Sequence, residues 1–217
     1  MIRLMTYNIR LGIQQGLEAL AEVIRSHDPD VVALERRHVW PPYTSSERHE
    51  GTEPLVITAA EGPWITDADG RRYLEGNGSW WICTLGHGHP RLRAALARQA
   101  EQLMHVAAGG ITHAPVALLA KELVEVAPTG LTRAHFSDDG STAVEVALKM
   151  ALGYWSHRGE ARSRVVVMEH SYHGDTIGAM SVGARGVFNA AYAPMLFDVG
   201  RVPFPANDPQ PTLDALE

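Results

Sequence analysis

A chain of 217 residues holds one large domain or two small ones. Its net charge of −6 offers no basic surface to nucleic acid, and its one cysteine, Cys83, excludes an internal disulfide and fits a reducing cytoplasm. No apolar run is long enough to span a membrane. The opening residues, interrupted by Arg3, Asn8 and Arg10, lack the apolar stretch of a signal peptide.

In chain order, residues 1 to 34 read as strand, helix, strand. Ile2, Leu4 and Tyr7 open an apolar stretch, and Leu17, Leu20, Ala21 and Ile24 follow helical spacing. Asp28-Pro29-Asp30 turns the chain, and Val31 to Leu34 are expected to form a buried strand. After an irregular Pro41-Pro42, strands are expected at Leu55 to Ile57, Trp64 to Thr66 and Arg71 to Leu74, with Asp67-Ala68-Asp69-Gly70 as a turn. Pro90 opens a helix that runs to about Met104. A second helix follows Pro115, with Val116, Leu119, Ala120 and Leu123 as its buried stripe. A short strand at His135 to Ser137 leads into Asp138-Asp139-Gly140-Ser141-Thr142. A long helix follows, with Val144, Ala147, Leu148, Ala151 and Leu152 on one side. Val165 to Met168 form a β-branched strand, Pro203 to Pro211 a loop, and Thr212 onward the start of a helix. Strands alternating with helices of this size argue for an α/β fold with a parallel or mixed sheet.

The turn into the long helix carries the clearest chemistry. The first amides of a helix have no intrahelical partner, and the dipole is positive there, so the site suits a phosphate. Gly140 permits close backbone approach, and Ser141 and Thr142 add hydroxyl donors. A capped helix after an ordinary turn has the same residues. Tyr172 lies past the carboxyl end of the Val165–Met168 strand, where open α/β sheets bind ligands. Trp80 and Trp81 would face opposite ways in a strand but could both line a pocket in a loop. His87 and His89 lack further ligands at workable spacing for a metal and read as part of a turn. Asp175 is expected to cap the following helix, and Glu145 to pair with Lys149 one turn later on the surface.

Four phrases occur together: RRHVWPPYT (Arg36 to Thr44), GNGSWWICTLGHGHPRL (Gly76 to Leu92), the turn and helix from Phe136 to Trp155, and VVVMEHSYHGDTIGAMSV (Val165 to Val182). In that order the chain resembles the class III aminotransferases that use pyridoxal phosphate. Within them it resembles the branch serving biotin synthesis, from about residue 35 to the C-terminus. The resemblance implies a fold-type I α/β transferase, incomplete here, with a small-domain segment at 35–110 and the first part of the cofactor-binding large domain at 111–217. It implies that Gly140, Ser141 and Thr142 hold the cofactor phosphate and that Tyr172 stacks on its ring. Tyr43, Trp80 and Trp81 would shape the site for 8-amino-7-oxononanoate, which would receive an amino group from S-adenosylmethionine. The family pattern further implies a homodimer, no nucleic acid and no membrane. These enzymes bind their cofactor through a Schiff-base lysine. This chain has only Lys121 and Lys149, both within predicted helices. The family's pyridine-nitrogen aspartate and substrate-carboxylate arginine would fall beyond residue 217. No catalytic residue is therefore assigned, and this chain alone is expected to be inactive.

Residues 1–34 resemble another group, the endonuclease/exonuclease/phosphatase superfamily. Its TYNIR-like strand matches Asn8, but Glu35 follows Leu34 directly where that family has Gln and then Glu. This resemblance implies an alternative, a metal-dependent phosphodiesterase or nuclease remnant with Mg²⁺ at Asn8 and Glu35. The meeting of two families at Leu34/Glu35 also implies a chimeric, non-catalytic product.

Overall fold

A computed structural model describes residues 31–51 and 54–216. The expected strand and helix before Asp28, the turn at Asp28–Asp30 and the candidate ligand Asn8 lie outside the described residues. Val31 to Leu34, expected as a buried strand, instead open a helix, α1 (Val31–His38), which runs unbroken across Leu34–Glu35. Ala33, Leu34, Glu35 and the two arginines favour a helix, and Arg36, Arg37 and His38 in the last turn complement its dipole. Val31 and Leu34 are exposed, so no buried sheet position overrides that preference. Glu35 faces His49 Nε2 on α2 (Ser46–Gly51) at 3.3 Å.

The chain divides into two units, residues 1–105 and 106–217. In the first, β1 (Ile57–Glu61), β2 (Trp64–Asp67) and β3 (Arg72–Leu74) form an antiparallel meander. The first strand starts where the expected one ends. A bulge at Thr58 shifts its register, and Thr58 Oγ1 donates to the Asp67 carbonyl at 3.2 Å. The β2–β3 turn is locked by Asp67. Its buried carboxylate accepts from the Arg71 N–H at 2.8 Å and from the Tyr73 hydroxyl at 2.8 Å. Gly70 takes the positive φ of 82° that the turn needs. At the other hairpin tip, Gly62 and His87 exchange backbone hydrogen bonds of 3.0 and 2.8 Å. Gly86 lies so close that an added Cβ would sit 3.0 Å from the Gly62 Cα. The segment after the paired tryptophans is thereby fastened to the sheet and leads into α3 (Pro90–Gln102).

The second unit begins with α4 (Ala114–Val126) and α5 (Gly140–His157). The strand expected at His135–Ser137 does not form: those residues have no regular structure. A strand is defined by a neighbour's hydrogen bonds, and among the described residues no strand pairs there. The expected strand at Val165 forms as β4 (Val166–Met168), followed by α6 (Ile177–Ser181), a 3₁₀ turn (Ala190–Met195), β5 (Gly200–Val202) and α7 (Gln210–Asp214). β4 and β5 are parallel, in register Val166↔Gly200 and Met168↔Val202. Thus α6 and the 3₁₀ turn form a crossover between parallel strands. The buried residues of this unit gather there: Val167, Ala179, Met180, Val182 and Val202, with the Ser181 hydroxyl donating to the Ile177 carbonyl and accepting from the Phe197 N–H. No described helix is long and apolar enough to cross a membrane.

Candidate cofactor cradle and aromatic wall

The N-terminus of α5 is built by its cap. Asp139 is extended, with φ −154° and ψ 178°, and its carboxylate accepts from the Thr142 N–H at 2.8 Å. The Thr142 hydroxyl accepts from the Asp139 N–H at 3.1 Å and donates to the Asp139 carbonyl at 3.0 Å, closing a reciprocal capping box. Thr142 thus serves the cap with both its amide and its hydroxyl. The amides of Gly140 and Ser141 remain for an anion, as the geometry of a helix start requires.

Ser141 Oγ accepts from the Asp175 N–H at 3.3 Å, so its own proton stays available to a ligand. That bond brings the loop after β4 against the cradle. His170 turns the chain with a positive φ of 62°, and the Ser171 hydroxyl donates to the Met168 carbonyl. Tyr172 follows, with 69% of its surface exposed and its hydroxyl donating to Asp175 Oδ2 at 2.8 Å. That hydrogen bond, followed by partial burial and the Asp175 charge, holds the phenol above its ordinary range. Gly174 has a φ of 120°, and a Cβ built on it would overlap both the side chain and the backbone of Ser141. Only glycine lets the loop lie this close to the helix start.

Two local expectations are corrected here. Asp175 does not cap α6: its carboxylate takes the Tyr172 hydroxyl, and Thr176 occupies the N-cap position. Glu145 does not form the expected surface pair with Lys149. Its Oε1 instead accepts from the Thr176 hydroxyl at 2.6 Å, the Gly178 N–H at 2.7 Å and the Ala179 N–H at 3.3 Å. The Thr176 bond first, and then the two amides, hold this carboxyl below its ordinary range against an opposing effect of burial. Gly174 and Gly178 carry no signal in the sequence, and the spacing of Glu145 from Lys149 points it to the surface instead. Spacing alone does not signal a carboxylate that reaches residues more than thirty positions away.

In the first unit, Gly78 to Trp81 form a single left-handed helical turn, with φ values of 58°, 48°, 57° and 69°. Each non-glycine residue in this conformation costs about 1–2 kcal/mol. Glu75 holds the turn: its Oε2 accepts from the Ser79 N–H at 2.7 Å and lies 3.5 Å from His87 Nε2. The Ser79 N–H first, and then His87, keep the Glu75 carboxyl below its ordinary range against the opposing effect of burial. The turn presents Trp80 and Trp81 outward, 57% and 76% exposed. Tyr43, also at positive φ, packs its ring 5.9 Å from that of Trp80. His87 is committed to Glu75 and to Cys83 Sγ at 3.5 Å, and His89 precedes α3 as its N-cap residue. Among the described residues no three His, Cys, Asp or Glu side chains gather as metal ligands.

An open helix start with the loop after β4 fastened to it, beside a parallel crossover and with a ring exposed past the strand's carboxyl end, suits a phosphate-bearing ligand on an α/β fold. Residues 45–216 match the sequence profile of the class III aminotransferases, and the chain belongs to that family. It is 47% identical over 168 residues to the adenosylmethionine-8-amino-7-oxononanoate aminotransferase of Synechococcus elongatus, a match covering 77% of this chain and 39% of that protein. The crystal structure of the corresponding aminotransferase from Methanocaldococcus jannaschii superposes with a TM-score of 0.76 at 35% identity, covering 80% of this chain and 40% of that one. An amine transaminase from an uncultivated Pseudomonas species, solved in its PLP-bound form, superposes with a TM-score of 0.69 at 34% identity, covering 80% of this chain and 41% of the other. The chain therefore spans about two fifths of the length of these relatives.

Proposed function

We propose that this chain carries the phosphate-binding and ring-stacking part of a pyridoxal-phosphate aminotransferase of biotin synthesis. The reaction would move an amino group from S-adenosylmethionine to 8-amino-7-oxononanoate. The observation that carries the cofactor assignment is the fastening of the Tyr172 loop onto the start of α5 through Gly174 and the Asp175 N–H to Ser141 bond. Gly140 and Ser141 would hold the phosphate through their amides and the Ser141 hydroxyl, while Thr142 keeps the helix start in shape. Tyr172 would offer its exposed ring face to the pyridine ring. Pyridoxal phosphate, when bound, supplies the electron sink through which an amino group passes between two substrates.

In the other unit, Tyr43, Trp80 and Trp81 would provide flat apolar walls for an alkyl chain, whose burial yields about 25 cal/mol per Å². The names of the relatives support this substrate pair, and the paired tryptophans suit its apolar part. A cytoplasmic location and a homodimer of the complete enzyme belong to the same proposal.

Neither lysine of this chain suits the covalent role. Lys121 lies within α4, 2.5 Å from Glu125, and Lys149 lies within α5. The chain alone should therefore bind pyridoxal phosphate weakly and reversibly, through the phosphate, and should not transaminate. Spectral titration followed by borohydride reduction and peptide mapping tests this. The expected result is saturable binding with no stoichiometric adduct at either lysine. Trapping at Lys149 together with amino transfer would overturn the assignment of an inactive chain, and no binding at all would overturn the cradle.

A further inference from the structure

Ser141 and Glu145 are four residues apart on α5 and therefore lie on one face of the helix, one turn apart. Each grips a successive point of the segment that carries Tyr172. Ser141 takes the Asp175 N–H, and Glu145 takes the Thr176 hydroxyl and the amides of Gly178 and Ala179. The packing around these bonds is close. A Cβ on Gly174 would overlap Ser141, and one on Gly178 would overlap the Glu145 carboxylate. A glutamate with only a helix-surface role would face Lys149 or solvent. This one faces the first turn of a neighbouring helix, with three donors on one oxygen.

We propose that Glu145 is a positioning residue for the cofactor: from the cradle helix it holds the start of α6, and so sets where the Tyr172 ring stands relative to the phosphate-binding amides of Gly140 and Ser141. This rests on the assignment of those residues to pyridoxal phosphate. The phosphate donors sit on α5 itself and do not depend on Glu145. The ring's position does: Ser171 ties its near side to β4 and α6, and the segment that follows Tyr172 is bound to α5 by Ser141 and Glu145.

The test uses the full chain with Glu145→Ala and Glu145→Gln. Pyridoxal phosphate and inorganic phosphate are titrated separately, with the circular dichroism induced in the bound cofactor as the spectroscopic readout. Glu145→Ala should weaken pyridoxal phosphate about tenfold, the loss of a charged hydrogen-bond acceptor, and abolish the induced signal. Inorganic phosphate should change by no more than about twofold. Glu145→Gln keeps an acceptor oxygen at the same reach and should restore most of the affinity and the signal. The proposal fails if Glu145→Ala binds the cofactor as the unaltered chain does, if both ligands weaken together, or if Glu145→Gln behaves like Glu145→Ala. If the unaltered chain binds neither ligand, the cofactor assignment is what has failed. Amide exchange over 172–179 then decides the positioning role by itself. Faster exchange in Glu145→Ala than in Glu145→Gln supports it, and equal exchange in all three proteins overturns it.

Discussion

At the scale of single residues, the candidate site depends on a few groups whose surroundings leave little freedom. Gly174 combines a φ of 120° with direct contact against Ser141. Gly174→Ala should destabilise the second unit by about 1–3 kcal/mol, the usual cost of a side chain forced into such a conformation. Urea unfolding followed by loss of phosphate binding would measure it, and an unchanged midpoint would refute it. The carboxylates of Asp67, Glu75 and Glu145 all lie below their ordinary values of 3.8, 4.5 and 4.5. At Asp67, burial raises the carboxyl, but the Tyr73 hydroxyl and the Arg71 N–H and charge outweigh it. A depressed folded value means the unfolded chain takes up protons first, so stability falls with pH there. These three groups should stabilise fully above the ordinary carboxylate range and lose that contribution as pH falls through their lowered folded values. Melting temperature followed downward from neutral pH should show the decline, and Asp67→Asn should flatten part of it. Tyr172 acts in the opposite sense. Its raised value means that its bond to Asp175 stabilises below the ordinary phenol value of 10.0 and is lost as pH rises through the folded value.

At the scale of elements, α5 caps itself with one pair of residues and leaves the neighbouring amides for the proposed phosphate. Asp139 and Thr142 satisfy each other and leave the preceding amides open. Asp139→Ala should cost about 1 kcal/mol, the typical value of a lost N-cap. It should not weaken phosphate binding, because it removes a negative charge from the helix start and frees the Thr142 amide. Thermal melts paired with phosphate titration check both halves of this prediction, and a parallel loss of stability and affinity would contradict it. The left-handed turn at Gly78–Trp81 shows a related division. Its strain is borne by Glu75 and His87, which present the two tryptophans without touching solvent to the same extent themselves.

At the scale of the whole molecule, much apolar surface is uncovered. On α4, Leu118, Leu119 and Leu123 are exposed, and Val126 is 83% exposed, although their spacing marks a stripe built for burial. The β4–β5 pair presents Val166 and Met168 to the surface as well. Exposed apolar faces and unpaired strand edges drive association. The purified chain should therefore form concentration-dependent oligomers. Light scattering across a dilution series would detect them, and a single sharp monomer at high concentration would contradict the expectation.

How far each feature was legible in the sequence follows from the range of the interactions behind it. The α3, α4 and α5 helices, the β2–β3 turn at Asp67–Gly70, the helix start at Gly140 and the family itself could be read from local letters. Proline positions, periodicity and turn chemistry act over a few residues. An apolar tetrapeptide such as Val31–Leu34 suits strand and helix equally, and its exposed surroundings let helix preference prevail. At His135–Ser137 a strand would need a partner that local letters cannot supply. The commitment of Thr142 to the cap, the turning of Glu145 toward α6 and the closeness of Gly174 to Ser141 were decided only by the tertiary structure. Each depends on residues distant in sequence meeting at one helix end, and hydrogen bonds across such distances leave no periodic trace in the chain.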